Sequence, residues 1–228
     1  MVQDYSRLGG LGMMAVAILA PLYSILYALS SYGFIPIVPL AVLMFYVLIG
    51  VSVGLWLGFV FAGIGFLAYY KTFGLQWGQF GFLFPLLFGW AFLATETYYI
   101  IMIHFNALYL TLMLFLSWVL PSWLKSPDTA MQFYWILKFS FLGSISLIWS
   151  GIVFQVNRVE GKLRYAFEAA WLLLLAAILF LSLIFVILFL GYRVMIIPFV
   201  LGTLILCPGC ILNRLILLNM QTNKLGSK

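Results

Sequence analysis

Charge is the scarcest property of this chain. Only 7% of its 228 residues are charged, and it holds five acidic side chains, one histidine and two cysteines. A soluble domain carries about 25% charged residues, so no water-soluble surface can be built from this sequence. One histidine in total excludes bis-histidine ligation of a haem within the chain. Two thiols and one distant histidine do not make a tetrahedral metal set. There is no Walker loop, no H-E-x-x-H and no nucleophile elbow. No catalytic residue and no metal site is therefore expected, and neither is an enzyme with its own redox centre.

What is abundant is apolar. Hydrophobic residues make up 66% of the chain and aromatics 19%, with a mean hydropathy of +1.21. The apolar runs are long and continuous, which selects membrane-spanning helices over the alternating strands of an outer-membrane barrel. The expected fold class is all-α: a polytopic membrane protein forming a single transmembrane domain over 1–228. The opening MVQDYSRLGG leads into no cleavage-site pattern, so the first run is read as a retained span. The net charge of +6 is an orientation signal here, not a nucleic-acid one.

Turn chemistry divides the chain. A first span covers about Leu8 to Ser30, and Ser31-Tyr32-Gly33 turns into a second from Pro36 to Tyr70. At 1.5 Å per residue that second helix is about 52 Å long, well beyond a hydrocarbon core of about 30 Å, so it tilts or protrudes. Leu75 to Leu120 is apolar and lacks both a basic residue and a strong loop, so it allows one long tilted helix or two spans. Later spans fall at about Ala130–Phe154, Phe167–Leu190 and Val194–Met220, with QVNRVEGKLRY, 155–165, as a loop. Six spans gather seven basic residues on the side of the termini (Arg7, Lys71, Arg158, Lys162, Arg164, Lys224, Lys228) against Lys125 and Arg193 on the other. Seven spans would divide them almost evenly. Basic residues collect on one side of a membrane, so six spans are predicted, with a long tilted second and third helix.

Intramembrane ionisable residues are costly and mark candidate sites. Glu96 and His104 stand eight residues apart in the third span. That spacing places them on roughly one helix face, about 12 Å apart along the axis, too far for direct contact. Thr95, Thr97, Tyr98, Tyr99 and Asn106 surround them. Three readings stay open for Glu96: a proton, ion or lipid-headgroup path; a carboxylate hydrogen-bonded to a tyrosine or threonine of a neighbouring helix; or a place near the membrane surface because the helix is tilted. Lys138, deep in the fourth span, can pair with Glu96 or Glu168 or reach the interface. Glu168 suits the first turn of its helix without any further role. Cys207-Pro208-Gly209-Cys210 has thiol-exchange spacing, but with no second cysteine pair to pass electrons on, a kinked helix with small buried residues is the expectation.

Short motifs carry a resemblance to cytochrome c oxidase subunit III. Gly74-Leu75-Gln76-Trp77-Gly78 and the following Q-F-G-F-L-F are similar to the start of that family's long third helix. Gly89-Trp90-Ala91-Phe92 resembles a later segment of it. Ser144 to Trp149, with Asn157-Arg158 beyond, resembles the end of the fourth helix and the turn after it. The family has seven helices where this chain shows six, and its helix-three glutamate would fall near Leu86, ten residues before Glu96. The resemblance implies a non-catalytic core subunit of a respiratory terminal oxidase in a mitochondrial inner or bacterial cytoplasmic membrane, with both termini on the matrix or cytoplasmic side. It implies no redox cofactor in this chain, a catalytic subunit and others as partners, and phospholipid held between helices. Trp77, Trp149 and Arg158 are its expected lipid or packing residues. A small transporter or channel lined by Glu96, His104, Tyr99 and Lys138 is the alternative, and a scaffold subunit of another membrane complex is a third.

Overall fold

The computed structural model describes residues 2–31, 38–104, 127–160, 165–191 and 195–225. Side chains at 2, 30, 31, 38–45, 98–104, 127, 130, 159, 160 and 221–225 lie outside that description. Six helices account for nearly all of it: α1 Val2–Ser31, α2 Val38–Phe73, α3 Gly78–His104, α4 Pro127–Glu160, α5 Ala166–Leu190 and α6 Ile196–Leu225. Each contains a stretch long and apolar enough to cross a membrane. The chain is an all-α polytopic membrane protein.

Two helix ends show why the chain breaks where it does. Gly74 takes a left-handed φ of 68° and its N–H closes onto the Tyr70 carbonyl at 2.9 Å, ending α2. Gly191, at φ 79°, ends α5 in the same way on Ile187. Glycine adopts that conformation without the Cβ penalty.

The helices alternate in direction around a closed ring. Each packs on its neighbours in sequence, and α6 returns onto α1. Cross-helix bonds fix the sense. Ser24 and Thr203 hydroxyls meet at 2.8 Å where α1 ends and α6 begins. At the other end the Trp149 indole donates to the Gly81 carbonyl at 3.1 Å, and Ser150 to the Ala170 carbonyl at 2.7 Å. Tyr69 donates to Asn213 Oδ1 at 2.6 Å at this same end. The start of α1 and the last turns of α6 lie side by side there: Arg214 Cγ is 3.5 Å from where a Cβ on Gly10 would stand.

Lipid is as apolar as leucine, so burial of greasy surface does not by itself choose an inward face. Small residues do, because they let backbones approach. On α5 the buried stripe is Ala166, Ala169, Ala170, Leu173, Ala176 and Ala177, continuing into Phe180. Its lipid face carries Phe167, Trp171, Leu175, Ile178 and Phe185, all more than half exposed. On α1 the contact with α2 is backbone to backbone at Gly9–Gly65 and Gly12–Ala62. The interior is aromatic: Trp149 stacks on Phe66 at 5.2 Å between ring centres, and Phe59 meets Phe141 edge-on at 5.5 Å.

Several boundaries depart from the sequence reading. α4 runs on to Glu160, so Gln155, Asn157 and Arg158 are helical and not in a loop. α1 begins at Val2 and α6 continues to Leu225, beyond the apolar runs at both ends. Polar residues are at no disadvantage once a helix leaves the lipid, and its hydrogen-bond ladder simply propagates. The ambiguous third region forms one helix as far as His104, while 105–126 lies outside the described residues. At 36 residues, α2 is about 54 Å long.

Candidate functional site

Four helices converge on one ion pair. Glu96 on α3 and Lys138 on α4 meet at 3.0 Å between Oε1 and Nζ, and each is only 1% exposed. Tyr134 precedes Lys138 by one helical turn, so both side chains leave α4 on the same face. Its hydroxyl donates to both carboxylate oxygens at 3.0 Å and accepts from Lys138 Nζ at 2.8 Å. Tyr23, from α1, does the same: it donates to Glu96 Oε2 and accepts from Lys138 at 3.1 Å.

The network closes on itself. A lysine ammonium has three N–H donors and no acceptor. Here they go to Glu96, Tyr23 and Tyr134. The carboxylate receives one ammonium and two phenol hydroxyls. Burying either charge alone would cost several kcal/mol, and a buried pair persists only when its remaining hydrogen-bond capacity is filled.

The ammonium is also boxed by rings. Nζ lies 4.3 Å from the ring centre of Tyr23, 4.5 Å from Phe199, 4.8 Å from Tyr27, and 5.1 Å from Tyr134 and from Trp135. Cations within about 6 Å of a ring face are attracted by its quadrupole, by about 2 kcal/mol or more when desolvated. The rings brace each other, with Tyr27 and Phe199 both edge-on to Trp135 at 5.2 and 5.5 Å. The site lies in the half of the bundle opposite the termini. Tyr27 is one turn and Tyr23 about two turns short of the end of α1, and Phe199 is in the first turn of α6.

Of the residues singled out from sequence, Glu96 and Lys138 come together. Glu96 is hydrogen-bonded to tyrosines from α1 and α4 and not to Thr95 or Thr97, whose hydroxyls bond to Phe92 and Leu93 carbonyls. The side chains of Tyr99 and His104 lie outside the described residues. Glu168 is exposed in the first turn of α5, away from Lys138. Sequence reading missed Tyr23, Tyr27, Tyr134, Trp135 and Phe199. A signal was present for two of the pairs: Tyr23–Tyr27 and Tyr134–Lys138 are each four apart, on one helix face.

Trp149 is fully buried about three turns before the end of α4, and it clamps α4 to α3 and α2. Arg158 is exposed in the last turn of α4. Trp77, 57% exposed just before α3, borders an apolar groove of about 340 Å³ on the α3–α4 seam with Phe80, Leu147, Ile148, Ile152 and Gln155. A second groove of about 230 Å³, farther along the seam, runs between Phe84, Phe88, Phe92, Leu137 and Phe141.

Cys207 and Cys210 are unbridged, one half-buried and one buried. α6 continues through Pro208, and a Cβ on Gly209 would stand 3.2 Å from Leu173 on α5. This is helix packing. The double change Cys207→Ser, Cys210→Ser is expected to leave the melting temperature and function of the protein almost unchanged; loss of function on that change would assign the thiols a redox role. Among the described residues, no three or more of His, Cys, Asp and Glu stand together as a metal set.

No protein-family model, curated protein or solved structure matches the chain.

Proposed function

We propose that this chain is a non-catalytic, lipid-holding subunit of a larger membrane complex, and that the complex is a respiratory terminal oxidase. The observation that carries the subunit reading is the α3–α4 seam. That seam combines two apolar grooves with large exposed aromatics, Trp77, Phe80, Phe88 and Trp90. α3 is also the least covered span, with 28% of its apolar stretch buried against 61% for α4. Apolar grooves open to the bilayer suit acyl chains or a partner's helix. The oxidase assignment rests on the motifs at 74–84, 89–92 and 144–149, and Trp77 lines one groove. The excess of basic residues at the end holding the termini supports a matrix or cytoplasmic location for that end.

A second reading has its own observation. Ionisable pairs inside a membrane mark proton relays and substrate paths, and Glu96–Lys138 favours a small transporter on that ground.

Purification of the intact protein in mild detergent separates the two. The subunit reading predicts co-migration with other polypeptides carrying haem and copper absorbance, and phospholipid that Trp77→Ala partly releases. A lone chain that moves protons or a solute in liposomes would replace it with the transporter.

A further inference from the structure

We propose that the cluster around Lys138 is a receptor site for primary alkylammonium ions, with the lysine as its tethered occupant. The receptor is assembled without Lys138. Tyr23 and Tyr27 come from α1, Glu96 from α3, Tyr134 and Trp135 from α4 and Phe199 from α6, and all are at most 3% exposed. Five rings surround one point in space, and three oxygen acceptors, Glu96 Oε1 and the Tyr23 and Tyr134 hydroxyls, stand 2.8–3.1 Å from that point. Rings select a cation of any kind. Three converging acceptors select one that still has three N–H bonds. A quaternary ammonium has none and would strand the carboxylate and both phenols, whereas a primary ammonium satisfies all of them. The carboxylate supplies the countercharge. The preference is therefore for a primary ammonium on a short unbranched chain, the shape of the lysine side chain itself.

Truncating Lys138 to alanine removes three methylenes and the ammonium, leaving a space shaped for propylammonium. The site does not depend on which complex, if any, the protein joins. Its test uses the full-length protein extracted and kept in detergent with propylammonium chloride, with thermal unfolding as the readout. Lys138→Ala is expected to gain stability saturably. At ten times the dissociation constant, the ratio of folded to unfolded protein rises about 11-fold. Wild type, where the lysine occupies the site, and the double variant Glu96→Gln, Lys138→Ala should respond no more than to equal sodium chloride. Propyltrimethylammonium should fail on all three. Equal responses of the three proteins, no response, or equal effects of the primary and quaternary ions would overturn the proposal. So would failure to recover folded Lys138→Ala even in propylammonium while Lys138→Met, which fills the space without charge, is recovered folded.

Discussion

Lys138→Met is expected to destabilise the bundle by about 3–5 kcal/mol, because it leaves the Glu96 carboxylate buried with two phenols and no countercharge. Glu96→Gln should cost a similar amount by stranding the ammonium, although the surrounding rings moderate that loss. The double change Glu96→Gln, Lys138→Met should be far milder than either effect added to the other. A neutral amide and a thioether still fit the space, and no isolated charge remains. Reversible unfolding in mixed micelles gives all three values and hence the coupling energy. Simple additivity would mean that the two side chains act independently, contrary to their 3.0 Å contact.

The second large effect is steric. A Cβ at Gly9 would lie 2.1 Å from the Gly65 Cα, and one at Gly12 would lie 2.1 Å from the Ala62 nitrogen. Both obstacles are backbone, so no rotamer change relieves them. Gly9→Val or Gly12→Val must force α1 and α2 apart along their whole contact. The expected loss is about 3 kcal/mol, the upper end of ordinary overpacking costs, because a helix and not a side chain has to move. Gly50 sits on the same helix pair but has nothing within 4 Å of its own Cβ position. Gly50→Ala should be neutral or stabilising by up to about 1 kcal/mol through helix propensity. Thermal melts of the three variants in one detergent make the comparison.

The spans were legible in the sequence because lipid demands long apolar runs and glycines end them, as at Gly74 and Gly191. Their even number was read from charge, because six spans gather the basic residues on one side, and among the described residues the start of α1 and the last turns of α6 share one end of the bundle. Helix ends outside the bilayer were not legible. Hydropathy reports where lipid stops, and α4 keeps its hydrogen bonds for six further residues after Phe154. The facing of each helix was only half legible. Apolar side chains point both inward and outward, and the small residues that mark the inward faces, the alanines of α5 and the glycines of α1, went unread in the sequence. Glu96 and Lys138 stood out because charge is rare here. The box around them did not, since its members lie 73 and 115 residues apart in the Tyr23–Glu96 and Tyr23–Lys138 contacts. Buried aromatic residues in an already aromatic chain give no local sign of convergence.

The central physical claim is that Glu96 is ionised inside the bundle, held by one ammonium and two phenols. Infrared difference spectroscopy between wild type and Glu96→Gln at neutral pH reads that state directly, since the other acidic residues cancel. Loss of a carboxylate stretch on substitution is the predicted result. Loss of a protonated carboxylic-acid stretch instead would contradict the ion pair and the cation box built on it.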